Sequence, residues 1–259
     1  MSSYPVSYRL RRFHGTAAHP ASPVDESAHP YIPVLQEALP YGMLVGVSLP
    51  AELGDVPEAA LSNLHEAEAE VARDLEGFRR MDFVGGRLAL RRALEGLTDK
   101  PVGPVLVDPR GGPILPRGFV GSVSHKRGLA VAMAARRRGW SLGVDLEDLD
   151  PPREGIAPRV LRDDELAEVE ALPAERRWTA TVLRFSMKEA IYKALQAFVP
   201  RYIDFSEAAV YPELSGGVRI TLFLAQGEGP YVIEGRYHWL PGRVLCSVRA
   251  RPRSPRRAR

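Results

Sequence analysis

The sequence predicts an α+β protein built from two similar lobes, and three observations predict it. A length of 259 residues suits one large domain or two of about 100–150 residues each. In each half, helical stretches are followed by a run of short strand candidates. Those strands are separated by Gly- and Pro-bearing turns of the kind that join antiparallel neighbours. No residue-level repeat between the halves is visible.

The elements follow in order. Residues 1–38 are rich in Pro, Ser, His and Ala and read as a loose N-terminal arm, with one short strand near Val6–Leu10. Met43–Leu49 is an apolar run bounded by Gly42 and Pro50, which predicts a strand. Pro57 opens a helical stretch to about Glu76, and a second helix runs from Phe78 to Leu97, stopped before Pro101. Strands are expected at Pro104–Val107, Phe119–Ser122, Leu129–Ala135 and Ser141–Leu146. Helices follow at Gly155–Leu161, Asp163–Ala171 and Glu175–Phe198, then strands at Val218–Ala225, Tyr231–Trp239 and Val244–Arg249. The expected division is an arm over 1–38, an N-terminal lobe over 39–138, a C-terminal lobe over 139–250 and a disordered basic tail over 251–259.

Composition excludes several classes. Hydrophobic content of 45% and charged content of 26% describe an ordinary globular protein. The net charge of +3 is concentrated in the tail, whose last nine residues hold five arginines and no acid. A nucleic-acid partner is therefore not expected for the body of the protein. The single cysteine, Cys246, rules out an intrachain disulfide and a cysteine zinc cluster, and its alternating context predicts a small buried apolar side chain. No apolar run reaches the roughly 18 residues that span a bilayer, and Met1–Pro30 lacks the core of a signal peptide. Cytoplasmic residence without a membrane partner is the default expectation.

Two stretches carry chemistry. In Gly143-Val-Asp145-Leu-Glu147 the two acids are two apart in a strand, so their carboxylates leave one face. Paired carboxylates without His or Cys favour magnesium or manganese over zinc. An ordinary strand end with solvent-facing acids has the same pattern. The second stretch is Phe185-Ser-Met-Lys188-Glu189-Ala-Ile-Tyr-Lys193. At 100° per residue, Glu189 lies within about 40° of Trp178, Val182 and Phe185, while Met187, Ile191, Ala194 and Phe198 form a second apolar face. A helix apolar on both sides is buried between layers, so Glu189 and Lys193 need partners there. Only four of the 35 basic residues are lysine, and two of the four, Lys188 and Lys193, fall in this segment.

Two weaker motifs suit phosphate. Gly121–Gly128 reads as a small polar loop bringing Ser124, His125 and Lys126 together. On the second helix, Arg80, Arg87 and Arg91 are spaced seven and four apart and share a face, with Arg73 and Arg79 nearby. Ordinary turn residues and ordinary surface arginines account for these equally well.

Together these motifs resemble the 4′-phosphopantetheinyl transferases, of the larger monomeric kind that activates siderophore, peptide and polyketide synthetases. The Ser124-His125 segment, Arg110-Gly-Gly-Pro113-Ile-Leu-Pro116 and Arg79-Arg80 with Phe83 and Arg87 occur in the family's order, and the resemblance spans roughly Leu61 to Val210. It implies two pseudo-symmetric α+β lobes with the active site in the cleft between them. It implies a magnesium-dependent transfer of the phosphopantetheine arm of coenzyme A to a serine of an acyl or peptidyl carrier protein, releasing adenosine 3′,5′-bisphosphate. Asp145, Glu147 and Glu189 are the implied metal ligands, with manganese an alternative ion. Lys193 is implied to neutralise phosphate charge, and Ser124 and His125 to touch the 3′- and pyrophosphate groups. Arg80, Arg87 and Arg73 are implied to hold the adenosine 3′-phosphate and base, and Lys188 belongs to the motif. Glu189, or a water held by it, is the candidate acceptor of the serine proton. Gly111-Gly112 stands where relatives can carry a basic residue, a contact Arg110 or Lys126 could supply.

Two other classes compete. A magnesium phosphodiesterase or nuclease could use the same three carboxylates with water as the nucleophile. A non-catalytic nucleic-acid-binding protein could use the arginine helix and tail, but it predicts aromatics interleaved with basic residues on an exposed sheet, and none is evident. The short trimeric holo-synthases within the family need about half this length.

Overall fold

The computed structural model describes residues 29–253; the strand expected near Val6–Leu10 lies outside them. The chain is α+β and divides into two compact units, with the boundary between Arg137 and Arg138. Among the described residues no helix is long and apolar enough to cross a membrane.

The first unit has a four-stranded sheet in the order β1-β2-β6-β5, every pair antiparallel: β1 is Pro33–Leu39, β2 Gly42–Ser48, β5 Phe119–Lys126 and β6 Leu129–Arg136. A two-stranded hairpin, β3 (Leu106–Val107) and β4 (Pro113–Ile114), precedes β5. Helix α3 (Gly77–Glu95) packs on the sheet, with Met81, Val84, Ala89, Leu90, Ala93 and Leu94 in a core shared with Val45, Val47 and Ala132. Strand β1 corrects the reading of 1–38 as an arm. Pro33 sits at its first residue, and the polar Gln36 and Glu37 hide the alternation that Leu35 carries inward. The single helix expected after Pro57 is two, α1 (Glu58–Leu61) and α2 (Glu66–Arg73). It breaks because His65 is extended (φ −67°, ψ 145°) and caps α2.

The second unit has a five-stranded antiparallel sheet in the order β7-β11-β10-β9-β8, comprising β7 (Ser141–Asp148), β8 (Ala208–Pro212), β9 (Gly217–Leu222), β10 (Tyr231–Leu240) and β11 (Arg243–Pro252). Short helices α4 (Ala157–Val160) and α5 (Asp163–Glu170) lead into α6 (Ala174–Leu195), which lies on β7 and β11. Strand β8 is hard to read from sequence because it is only five residues long and its Val-Tyr pair is flanked by two alanines and a proline. The expected tail over 251–259 is corrected at its start, and residues 254–259 lie outside the described residues. Arg251 and Pro252 extend β11 opposite Val232 and Tyr231, and the guanidiniums of Arg249 and Arg251 lie 4.4 and 4.5 Å from the Trp140 ring centroid.

Both units insert their helices after a strand (β2, β7) that pairs antiparallel with the unit's last strand (β6, β11). The likeness reaches individual residues, which the sequence did not reveal. Glu68, wholly buried on α2, accepts from the His65 N–H (3.1 Å), the Val105 N–H (2.6 Å) and the Arg91 guanidinium of α3 (3.1 Å). Glu165, wholly buried on α5, accepts from the Arg162 N–H (2.8 Å), the Val210 N–H (2.7 Å) and the Lys188 ammonium of α6 (2.5 Å). His65, Glu68 and Arg91 each precede their counterparts Arg162, Glu165 and Lys188 by 97 positions. In both units one carboxylate ties a helix start, the long helix and a later segment together, and its bonds offset the cost of its burial.

Candidate active site

The approach of α6 to β7 builds the site in the second unit. A Cβ at Gly143 would lie 1.9 Å from the Ala190 carbonyl oxygen and 2.7 Å from the Ala194 nitrogen, so only glycine lets the helix come this near. The Ser141 hydroxyl fastens the same contact by donating to the Ala194 carbonyl at 2.5 Å. Side chains alternate along a strand, so Asp145 and Glu147 leave β7 on the Gly143 face, toward the helix. Both are buried, at 4% exposure. The Ser186 hydroxyl donates to one oxygen of Asp145 (2.9 Å) and the Lys193 ammonium to the other (2.7 Å), with a further bond from Lys193 to the Val144 carbonyl (3.0 Å). Arg153 approaches Glu147 at 3.6 Å, a longer and weaker contact. Gly143 and Ser186 belong to the motifs but were not singled out from the sequence. Their spacings to Asp145 and Lys193, two in a strand and seven in a helix, carry the signal that could have found them.

Glu189 lies between Ser186 and Lys193 in the sequence of α6, three residues from one and four from the other. Its half-buried side chain lines a groove with Tyr192, Tyr202 and Ile203, and its charge helps to raise the Tyr202 phenol, whose shift comes first from burial. Among the described residues no three His, Cys, Asp or Glu side chains already converge as a metal cage. The donor chemistry nevertheless fits a hard divalent cation. Two buried carboxylates leave one strand face, and carboxylate oxygens are the ligand type magnesium prefers.

Lys188 requires a correction as a ligand-binding residue. It is 3% exposed, and its three ammonium protons are matched by Glu165 (2.5 Å), the Val160 carbonyl (2.8 Å) and the Phe205 carbonyl (2.9 Å). Burial lowers its pKa and Glu165 opposes that. The two motif lysines are five residues apart, about 140° round the helix, so one joins the interior and the other Asp145. Cys246 is fully buried on β11 and its thiol is pushed up, first by burial, so it is inert as expected.

The first unit holds the candidate anion-binding residues. Arg87 is 5% exposed, its guanidinium 4.6 Å from the Phe83 ring centroid, and donates to the Leu106 carbonyl at 3.3 Å. Burial lowers its pKa, opposed by the more distant Glu68. The Nε atoms of Arg80 and Arg87 are buried without a hydrogen-bond partner among the described residues. Arg91 shares their face but is committed to Glu68 and to the Val102 and Gly103 carbonyls. Arg73 is half exposed at the end of α2 and pairs with Glu58 at 2.8 Å, so it is not part of the α3 row.

The polar loop expected over Gly121–Gly128 is mostly strand. β5 runs to Lys126, only Arg127-Gly128 forms the turn, and Gly128 supplies its positive φ of 81°. Ser124 and His125 therefore point to opposite faces, Ser124 buried and His125 half exposed. His125 Nδ1 lies 3.2 Å from Asp82 Oδ2 on α3, an acid the sequence reading passed over. Burial raises the Asp82 pKa and His125 counters it.

Comparison with known proteins shows the family. Residues 67–135 match the model of the 4′-phosphopantetheinyl transferase N-terminal domain, and residues 141–245 match that of the 4′-phosphopantetheinyl transferase superfamily. The chain is 37% identical over 177 residues to the 4′-phosphopantetheinyl transferase Npt of Nocardia iowensis, covering 64% of this chain and 73% of that one. It is 34% identical to Svp of Streptomyces mobaraensis (75% and 81% covered) and 32% identical to PptT of Mycobacterium tuberculosis (80% and 98% covered). With two family models matched in order and a relative covered over nearly its whole length, the chain belongs to the 4′-phosphopantetheinyl transferase superfamily, a family of transferases.

Proposed function

We propose that this protein transfers the phosphopantetheine arm of coenzyme A to a serine of an acyl or peptidyl carrier protein, acting as a cytoplasmic monomer. The observation that carries the reading is the pair of buried carboxylates on β7, held by Ser186 and Lys193 of α6, in a chain of this family. Asp145 and Glu147, joined by Glu189, would hold magnesium. The ion, when bound, would neutralise pyrophosphate charge and favour in-line displacement. The carrier's serine oxygen bonds to the phosphorus bearing the pantetheine arm. The bond from that phosphorus to the bridging oxygen breaks, and adenosine 3′,5′-bisphosphate leaves. Glu189 would accept the serine proton. Lys193 holds Asp145 and offers positive charge beside the phosphates. Arg80, Arg87 and His125 receive the adenosine 3′-phosphate, whose charge would compensate the buried Arg87.

The test is mass spectrometry of an apo carrier protein incubated with this protein, coenzyme A and magnesium. A gain of one phosphopantetheine on serine is expected, and Asp145→Ala or chelation of the metal abolishes it. Hydrolysis of coenzyme A at the same rate with or without carrier, and no mass gain, would mean that water is the nucleophile and the proposal is wrong.

A further inference from the structure

We infer that Asp82 is a positioning residue for His125, holding the imidazole by Nδ1 so that Nε2 faces the anionic ligand. The inference rests on the proposed use of coenzyme A, but its geometry belongs to the fold of the first unit.

Gly86 and Asp82 lie one turn apart on α3, and β5 crosses that side of the helix. A Cβ at Gly86 would fall 2.8 Å from Val123 Cγ1, so the absent side chain lets β5 lie close. Val123 and His125 are two apart on β5 and share the face turned to α3. The strand that fits against Gly86 therefore delivers His125 to Asp82, where Nδ1 and Oδ2 are 3.2 Å apart.

The surroundings of Asp82 favour a fixed role over a solvated surface pair. Its side chain is 24% exposed, and its charge reaches the Tyr31 phenol. Tyr31 is 2% exposed, pushed up to about 12 first by burial, with Arg80 lowering and Asp82 raising it. The Tyr31 hydroxyl and Arg80 Nε are both buried without a hydrogen-bond partner among the described residues. Asp82 thus stands beside the group of donors proposed to receive the 3′-phosphate. A carboxylate in that place would repel an anion unless its charge were engaged, and His125 engages it. With Nδ1–H on Asp82, the ring cannot flip, and protonation at Nε2 gives a cationic donor aimed away from the carboxylate.

Two measurements test this on the full chain. Long-range nitrogen-15 NMR of the imidazoles should find neutral His125 protonated at Nδ1 in the wild type and at Nε2, the default tautomer, in Asp82→Ala. In the transfer assay Asp82→Ala should raise the KM for coenzyme A roughly tenfold, the size of one lost charged hydrogen bond, with kcat changed less than about twofold. Asp82→Glu should recover most of that KM. If Asp82→Ala does not fold, Asp82→Asn takes its place, with a smaller KM rise expected. The same His125 tautomer in wild type and variant, or an unchanged KM, overturns the inference. Absence of transfer by the wild type would overturn the proposed function instead, while the NMR result still decides the role of Asp82.

Discussion

Gly143→Ala tests whether the closeness of α6 to β7 makes the active site. The added methyl would lie 1.9 Å from the Ala190 carbonyl oxygen, whereas real Cβ contacts do not fall below 3.0 Å, so the helix must withdraw by about 1.1 Å at that point. Neither clashing atom can rotate away, because the Ala190 oxygen and the Ala194 nitrogen both belong to the helix backbone. Overpacking of this kind costs about 3 kcal/mol. The same withdrawal lengthens the 2.9 and 2.7 Å bonds that Ser186 and Lys193 make to Asp145. A misplacement near 1 Å at a reacting centre can lower the rate by about 100-fold. Urea unfolding measures the first effect, and phosphopantetheine transfer to an apo carrier protein measures the second. A variant within about 0.5 kcal/mol of wild type and with full kcat would refute the argument.

Other perturbations separate structure from chemistry. Lys188→Ala leaves the Glu165 carboxylate buried without its cation and should cost about 3–5 kcal/mol by calorimetry, whereas Lys188→Ala with Glu165→Gln should recover part of that loss. Lys193→Ala takes the ammonium from the buried Asp145, so it should cost about 1–3 kcal/mol, less than Lys188→Ala because Lys193 is itself 26% exposed, while transfer falls steeply. Gly86→Ala would put a methyl 2.8 Å from Val123 Cγ1, on a side chain stiff at χ1, so β5 must ease away and the variant should lose about 1–3 kcal/mol, less than Gly143→Ala, which meets helix backbone. Arg201 lowers Glu207 from its ordinary 4.5 to about 2 through hydrogen bonds of 2.8 and 2.7 Å. A depressed folded-state pKa stabilises above the unfolded value, so this contribution is present above pH 4.5 and lost as pH falls toward 2. The stability gap between wild type and Glu207→Gln should narrow across that window, and a constant gap would discount the pair.

What could be read from the sequence was whatever one element's own periodicity decides. The two-residue step placed Asp145 and Glu147 on one face of β7, and the helical step placed Glu189 with Lys193 on α6. Local apolar runs bounded by Gly and Pro located most helices and strands, and the order of the motifs pointed to the family that the comparisons show. Short or polar elements such as β1 and β8 were missed because their pairing partners, not their own residues, make them strands.

Only the tertiary structure decided what each side chain meets. Lys188 and Lys193 are the same residue type in one motif, yet Glu165, 23 positions upstream, claims the first and Asp145 the second. Arg87 and Arg91 share a face, yet Glu68 takes Arg91 while Arg87 keeps a buried donor unmatched among the described residues. A side chain's direction follows from backbone geometry within a few residues, so sequence determines it. Its electrostatic partner is set by packing between segments far apart in the chain, and that no local period encodes.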